Sequence, residues 1–217
     1  MLDFKLYAIT DRWLASNLKQ FAAEAARYGL RALRMRETDM EPQPSLQLAK
    51  ELRAAIPDTK LFLSVPDLAE KPTRVTGGFA ATVGADGIHV PEHVLDNEWT
   101  PDRLRDALPS MLWGASVHSV EAAARAEAWG ADFLTFGAVY ETPSKRAMGF
   151  EPQGLGKLKE VVNAVKIPVF AIGGITPAGA RQCLDHGAWG VAVVRDLLVA
   201  PDLGARIAEY REVLGSL

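Results

Sequence analysis

Short apolar runs recur along the chain, separated by stretches with helical patterning, and two phrases mark where each run begins. In the first phrase a glycine closes a helical stretch and an apolar run follows. It occurs as Gly29-Leu30-Arg31-Ala32-Leu33, Gly84-Ala85-Asp86-Gly87-Ile88, Gly130-Ala131-Asp132-Phe133-Leu134 and Gly187-Ala188-Trp189-Gly190-Val191. A glycine just past a helix supplies the positive φ often needed there, and a bounded apolar run of about five residues reads as a buried strand. In the second phrase an apolar residue and a proline precede the run: Ile56-Pro57 before Leu61-Phe62-Leu63, Leu108-Pro109 before Met111-Leu112-Trp113, and Ile167-Pro168 before Val169-Phe170-Ala171. The phrases alternate. With the opening run at residues 6–10 they define eight strands about 27 residues apart, the length that a strand, a helix and two short loops require.

These positions place strands near residues 4–10, 31–36, 60–65, 86–90, 111–117, 132–137, 168–173 and 189–194, with helices between them and a last helix near 202–214. Nearly continuous apolar strands alternating with helices belong to a parallel sheet covered on one face and filled on the other. Eight such units predict one α/β domain over residues 1–217, a (β/α)8 TIM barrel. A doubly wound open sheet is the alternative. Residues 71–83 form helix poorly, because Thr73, Thr76, Gly77 and Gly78 all disfavour it, so a short or broken third helix is expected.

Composition then narrows the function. The 217 residues are 48% hydrophobic and 24% charged, a globular rather than a disordered profile. Apolar runs stay under ten residues and the N-terminus lacks the pattern of a secretory signal, so no membrane partner is expected. With 24 Lys and Arg against 27 Asp and Glu, the chain lacks the basic footprint of a nucleic-acid binder; a small anionic ligand remains open. Cys183 is the one cysteine, which excludes an internal disulfide and a cysteine metal cage and fits a reducing cytoplasm. It reads as a small buried hydrophobe.

In such a barrel the residues just past the C-terminal end of each strand build the site. After strand seven, Gly173-Gly174-Ile175-Thr176-Pro177 combines two glycines that let a ligand approach the backbone with a capping threonine and a helix-starting proline, the pattern of a phosphate cradle. After strand eight, Val194 and Arg195 offer helix-start amides and a guanidinium to the same phosphate. After strand five, Ser119 is the expected helix cap and His118 a proton carrier on the rim. The long connection at 137–150 reads as a binding loop or lid, with Thr142, Ser144 and Lys145 as candidate ligands and Arg146 adding charge. On strand two, Arg34 and Arg36 share a face and should approach the open mouth, toward an anion or toward Glu37 and Asp39; Arg36 is the better ligand candidate. His89, Glu92 and His93 have only weak metal-site spacing.

Taken in order, residues 6–11 (Leu-Tyr-Ala-Ile-Thr-Asp), residues 83–90, Ser116-Val117-His118-Ser119, residues 137–145 and Ala171-Ile172-Gly173-Gly174-Ile175 resemble the thiamine phosphate synthase and TenI-type thiazole tautomerase superfamily. The likeness runs from residue 6 to residue 195. It implies a small phosphorylated thiazole as partner, a homodimer and a cytoplasmic location.

Departures from the synthase pattern bear on the branch. Synthases join a pyrimidine diphosphate to a thiazole phosphate, with Gln-Leu-Arg-Glu-Lys at strand two; here Arg34-Met35-Arg36-Glu37-Thr38 keeps the arginine and glutamate and loses the lysine. The synthase Asn-Asp after strand three, whose aspartate holds Mg²⁺, falls on Leu63-Ser64 when aligned through Asp67-Leu68-Ala69. After strand four, Gly-Gln and acidic residues become Pro91-Glu92-His93-Val94, leaving Glu92 as partial compensation. A diphosphate leaving group needs a metal or equivalent charge, whereas a tautomerase needs a phosphate anchor and a proton carrier. The resemblance therefore implies a thiazole tautomerase with His118 as acid and base and no cofactor. The alternatives are a synthase with an altered Mg²⁺ site and a noncatalytic regulator that binds a phosphorylated ligand.

Overall fold

The computed structural model of the chain describes residues 2–65, 72–96, 111–147 and 149–215; the side chains of residues 72–77, 96, 144 and 145 are outside that description. Eight strands, β1 (Leu6–Ile9), β2 (Ala32–Met35), β3 (Lys60–Ser64), β4 (Gly87–Val90), β5 (Leu112–Val117), β6 (Phe133–Gly137), β7 (Val169–Ile172) and β8 (Gly190–Val193), pair in parallel and in chain order. β8 returns to β1 through Leu6 opposite Val191 and Ala8 opposite Val193, so the sheet is a closed barrel rather than an open one. Each strand lies inside the stretch expected from the apolar pattern. Leu108-Pro109, one of the phrases behind that expectation, lies outside the described residues.

Among the described residues the helices are α1 (Leu18–Arg27), α2 (Pro42–Ala55), α3 (Pro72–Val83), α4 (Glu92–Asp96), α5 (Val120–Ala128), α6 (Pro143–Ala147), α7 (Gly154–Ala164), α8 (Pro177–Asp185), α9 (Arg195–Leu198) and α10 (Leu203–Leu214). The four joint glycines have φ of 94°, 70°, 86° and 90° at Gly29, Gly84, Gly130 and Gly187, as helix-to-strand joints require. Caps follow the local chemistry: Ser119 accepts from the Ala122 amide at 3.1 Å and Thr176 from the Gly179 amide at 3.3 Å. The expectation of a short or broken third helix is corrected, because α3 runs without interruption over twelve residues. Burial of Ala80 and Val83 on its last turns accounts for this, since tertiary packing outweighs weak propensity. The 137–150 connection likewise contains a helical turn, α6, rather than being loop throughout.

Two cores result. Outward-facing side chains such as Leu33, Leu61, Ile88 and Leu134 pack under the helices, where Cys183 is fully buried. Inside the barrel, Phe4, Tyr7, Phe62, Phe133 and Phe170 form an aromatic plug. Tyr7 meets Phe62 and Phe133 edge-on, with centroids 5.4 and 5.5 Å apart, while Phe4 stacks on Phe170 at 5.3 Å. Such geometries are favoured by the ring quadrupoles. The Trp189 indole closes the bottom by donating to the Phe4 carbonyl at 2.9 Å.

Rings this large fit only because facing strand positions carry glycine. A Cβ at Gly114 would lie 2.4 Å from the Phe133 ring and 2.9 Å from His89 Nδ1; one at Gly87 would lie 2.8 Å from the Phe62 ring and 2.2 Å from the Leu112 carbonyl oxygen. Gly114→Ala is therefore expected to destabilise the fold by about 1–3 kcal/mol through overpacking. Denaturant unfolding measures this, and an unchanged midpoint would show that the plug has room to shift.

Candidate functional site

Closure of the barrel brings the C-terminal ends of all eight strands to one rim, above the aromatic plug. On the β1–β2 side, the Thr10 hydroxyl donates to Glu37 Oε1 at 2.6 Å and accepts from the Arg36 amide at 2.9 Å. Arg12 bridges to Glu37 at 3.3 Å and grips both oxygens of Asp39 at 2.5 and 2.8 Å. Hydrogen bonding to that guanidinium holds the Asp39 carboxyl below its ordinary range. Arg12 thus occupies the acidic pair expected to face Arg34 and Arg36. Arg36 is exposed at the rim, whereas Arg34 is buried inside the barrel, where its Nε donates to Ser64 Oγ at 2.7 Å.

Beside Ser64 in the sheet, at the same register, stands His89, fully buried. Its Nε2 lies 3.1 Å from Ser116 Oγ and 3.2 Å from Thr135 Oγ1, and the Thr135 hydroxyl also donates to Ser116 at 3.3 Å. Burial first, then the positive charges of Arg34 and Arg36, push the imidazole well below its ordinary pKa and hold it neutral. Burial also raises the Tyr7 phenol, which keeps that hydroxyl un-ionised under the site. A deep polar layer on β2–β6 therefore carries net positive charge from arginine, in a setting suited to an anion.

His118 follows β5 on the rim, where it was expected, and Nδ1 lies 2.5 Å from Glu92 Oε2. Glu92, His89 and His93 do not converge. His89 faces the barrel interior, Glu92 meets His118, and His93 is exposed; among the described residues no group of three His, Cys, Asp or Glu side chains can hold a metal.

The remaining candidates lie on adjacent loops. β6, β7 and β8 are neighbours, so the β6 connection, Gly173-Gly174 and Val194-Arg195 sit side by side. The Tyr140 amide donates to the Gly173 carbonyl at 3.0 Å. Both glycines have positive φ, 99° and 66°, and a Cβ would strike Ala138 at Gly173 or the Glu141 carbonyl oxygen at Gly174. The pair therefore serves close loop packing as well as ligand approach. Val194 starts α9 with no side-chain cap, which leaves the helix-start amides to other acceptors. Arg195 is exposed, and its neighbour Asp196 is taken by Arg206 at 3.1 Å and the Tyr210 hydroxyl at 2.8 Å. That hydroxyl donates to the Ile175 carbonyl at 3.0 Å as well, so α10 props both loops from beneath. Thr142 is half-buried at the start of α6, and Arg146 pairs with Glu141 at 3.1 Å on the exposed side of that turn. The side chains of Ser144 and Lys145 lie outside the described residues, as do Asp67-Leu68-Ala69. Sequence reasoning missed Arg12, whose signal was its position just past β1, and it gave Arg34 and His89 no shared place.

A family model described as "Thiamine monophosphate synthase" matches residues 6–197. The chain is 38% identical over 205 residues to a Geobacter sulfurreducens protein named "Putative thiamine-phosphate synthase", covering 93% of this chain and 90% of that one. It is 33% identical to the thiamine-phosphate synthase of Pyrococcus abyssi, over 97% and 94% of the two chains. A solved thiamine phosphate pyrophosphorylase from Pyrococcus furiosus superposes with a TM-score of 0.80 at 31% identity, covering 97% of this chain and 95% of that one.

The neutral His89 makes stability depend on pH. Unfolded, its imidazole protonates below about pH 6.5 while the folded form stays neutral. Stability is thus full above about pH 6.5 and falls as pH drops below it, by up to about 1.4 kcal/mol per pH unit from this group. Denaturant unfolding between pH 8 and 5 should show a steeper acid loss for the wild type than for His89→Gln; parallel curves would mean that His89 titrates normally.

Proposed function

Since the chain belongs to the thiamine monophosphate synthase family, we propose that its barrel mouth binds the phosphorylated thiazole of thiamine biosynthesis and moves a proton on it, as a thiazole tautomerase. The observation that carries this reading is the donor set at the end of β3. Ser64 stands at the position where the synthase pattern has its magnesium aspartate, and its hydroxyl is bonded to the Arg34 guanidinium, with Arg36 adding positive charge nearby. A hard divalent cation seeks several oxygens, carboxylates above all, and a guanidinium at that point repels it. Among the described residues, this donor set does not fit magnesium.

The same residues fit an anionic ligand. Its phosphate docks on Gly173, Gly174 and the amides near Val194 and Arg195, with Thr142 and Ser144 alongside, where a helix start and backbone N–H groups receive negative charge. Arg36 or Lys145 holds the carboxylate of a carboxythiazole. His118 then takes a proton from one position of the ligand and returns it at another, so no net proton is consumed. Aromatisation of the ring supplies the drive, and general acid–base help of about 10²- to 10⁴-fold suffices. Such an enzyme needs no cofactor; it would work in the cytoplasm, as a homodimer.

The names of the relatives favour a second reading, and they favour it over the first: coupling of a pyrimidine diphosphate to the thiazole phosphate with release of pyrophosphate. One reaction series separates the two. The nonaromatic carboxythiazole phosphate is incubated with and without pyrimidine diphosphate and Mg²⁺, and both aromatisation and thiamine phosphate are followed. Metal-independent aromatisation that falls about 10²- to 10⁴-fold in His118→Ala is the expected result. Mg²⁺-dependent thiamine phosphate would establish the synthase instead. Neither activity, with the ligand still bound, would make the chain a binding module.

A further inference from the structure

We propose that Glu92 is a positioning residue for His118, holding its imidazole with the proton on Nδ1 and the lone pair on Nε2. The assignment rests on the reading of His118 as the proton carrier. β4 and β5 pair in register, with His89 opposite Gly114 and Val90 opposite Ala115. Glu92 begins α4 just past β4, and His118 follows the last residue of β5, so the topology sets the two side chains next to each other on the rim. Glu92 Oε2 lies 2.5 Å from His118 Nδ1. An ionised carboxylate only accepts hydrogen bonds, so the ring nitrogen facing it must carry hydrogen. In the neutral imidazole the free lone pair then sits on Nε2, which becomes the atom that exchanges protons with a ligand.

Exposure assigns the roles within the pair. The Glu92 side chain is 22% exposed and that of His118 is 49% exposed, so the carboxylate is the better-covered partner and the ring the freer one. At the other flank of His118, Ser119 caps α5 in an extended conformation, which fixes the backbone from which the ring projects. A ring tethered at Nδ1 and anchored at its backbone has few ways to turn. When Nε2 takes a proton, the resulting cation lies against a carboxylate, and the pair stabilises the charge that the transfer creates. The same contact engages the Glu92 carboxylate across the β4–β5 rim, apart from His89 and His93.

The test reads tautomer and rate separately. Imidazole ¹⁵N NMR of the full chain, with the His118 signals assigned by their loss in His118→Gln, should show protonated Nδ1 and unprotonated Nε2 in the neutral ring. Glu92→Gln can offer an amide N–H to Nδ1, so the bias should weaken or reverse, and Glu92→Ala should abolish it. The signals of His89, His93 and His186 report whether each variant is folded. With the nonaromatic carboxythiazole phosphate as substrate, kcat is expected to fall roughly 10- to 100-fold in Glu92→Gln while KM changes less than about twofold. Unprotonated Nδ1 in the wild type, or a Glu92→Gln protein with unchanged tautomer and kcat, would overturn the assignment. A tautomer bias lost in Glu92→Gln, in a wild type that turns over no substrate, would support the positioning role and remove the proton-transfer function.

Discussion

The aromatic plug inside the barrel is the constraint on which the remaining arrangement depends. Five rings and the fully buried His89 fill the space enclosed by the strands, and they fit because Gly87 and Gly114 present no side chain where Phe62, Phe133 and His89 stand. A filled interior leaves the next inward-facing layer, Arg34, Ser64, His89, Ser116 and Thr135, as the floor of an open mouth. Polar groups at that depth are costly unless bonded. Arg34 bonds Ser64, and His89 Nε2, Ser116 and Thr135 bond one another, while His89 Nδ1 and the Tyr7 hydroxyl beneath find no hydrogen-bond partner among the described residues. Plug and polar floor are thus two parts of one packing solution. Shifting Phe133 would disturb Gly114 and His89 directly, and through His89 the Ser116 and Thr135 hydroxyls bonded to it.

The fold was legible because a parallel barrel writes itself as a period. The helix-to-strand joints before β2, β4, β6 and β8 use a residue at positive φ, Gly29, Gly84, Gly130 and Gly187, while the joints before β3 and β7 carry Pro57 and Pro168 instead. Local signals of the same kind located Ser119 and Thr176 as caps. α3 resisted because propensity describes an isolated segment, while Ala80 and Val83 are decided by the surface they cover.

Site residues were legible only as far as position after a strand defines them. As candidates, His118, Gly173, Gly174, Val194 and Arg195 follow from strand ends alone, and the structure places each just past its strand. Partners do not, because they depend on which strands are neighbours and on how side chains divide the available acids. Glu37 and Asp39 are held by Arg12, just past β1, and Asp196 goes to Arg206 and Tyr210 of α10 rather than to Arg195. Both outcomes leave arginine exposed at the rim, since Arg36 and Arg195 have lost their nearest acidic neighbours in sequence to competitors from other elements. The mouth becomes more receptive to anions than a reading of adjacent charges suggests.

That redistribution of charge bears on the two functional readings. Coupling and tautomerisation both require a phosphorylated thiazole, and the loops after β7 and β8, where we propose its phosphate docks, are tied together from beneath by Tyr210, which bonds Ile175 and Asp196. The readings part at β2 and β3. A diphosphate leaving group must have its developing negative charge met by cations, and here Arg34 and Arg36 are the cations in place while Ser64 binds a guanidinium. A carboxylate on the ligand makes the same demand for positive charge in its ground state, without a leaving group. The arginines at β2 suit the carboxylated thiazole of the tautomerase we propose, in which the proton moves at His118, on the β5 side of the rim.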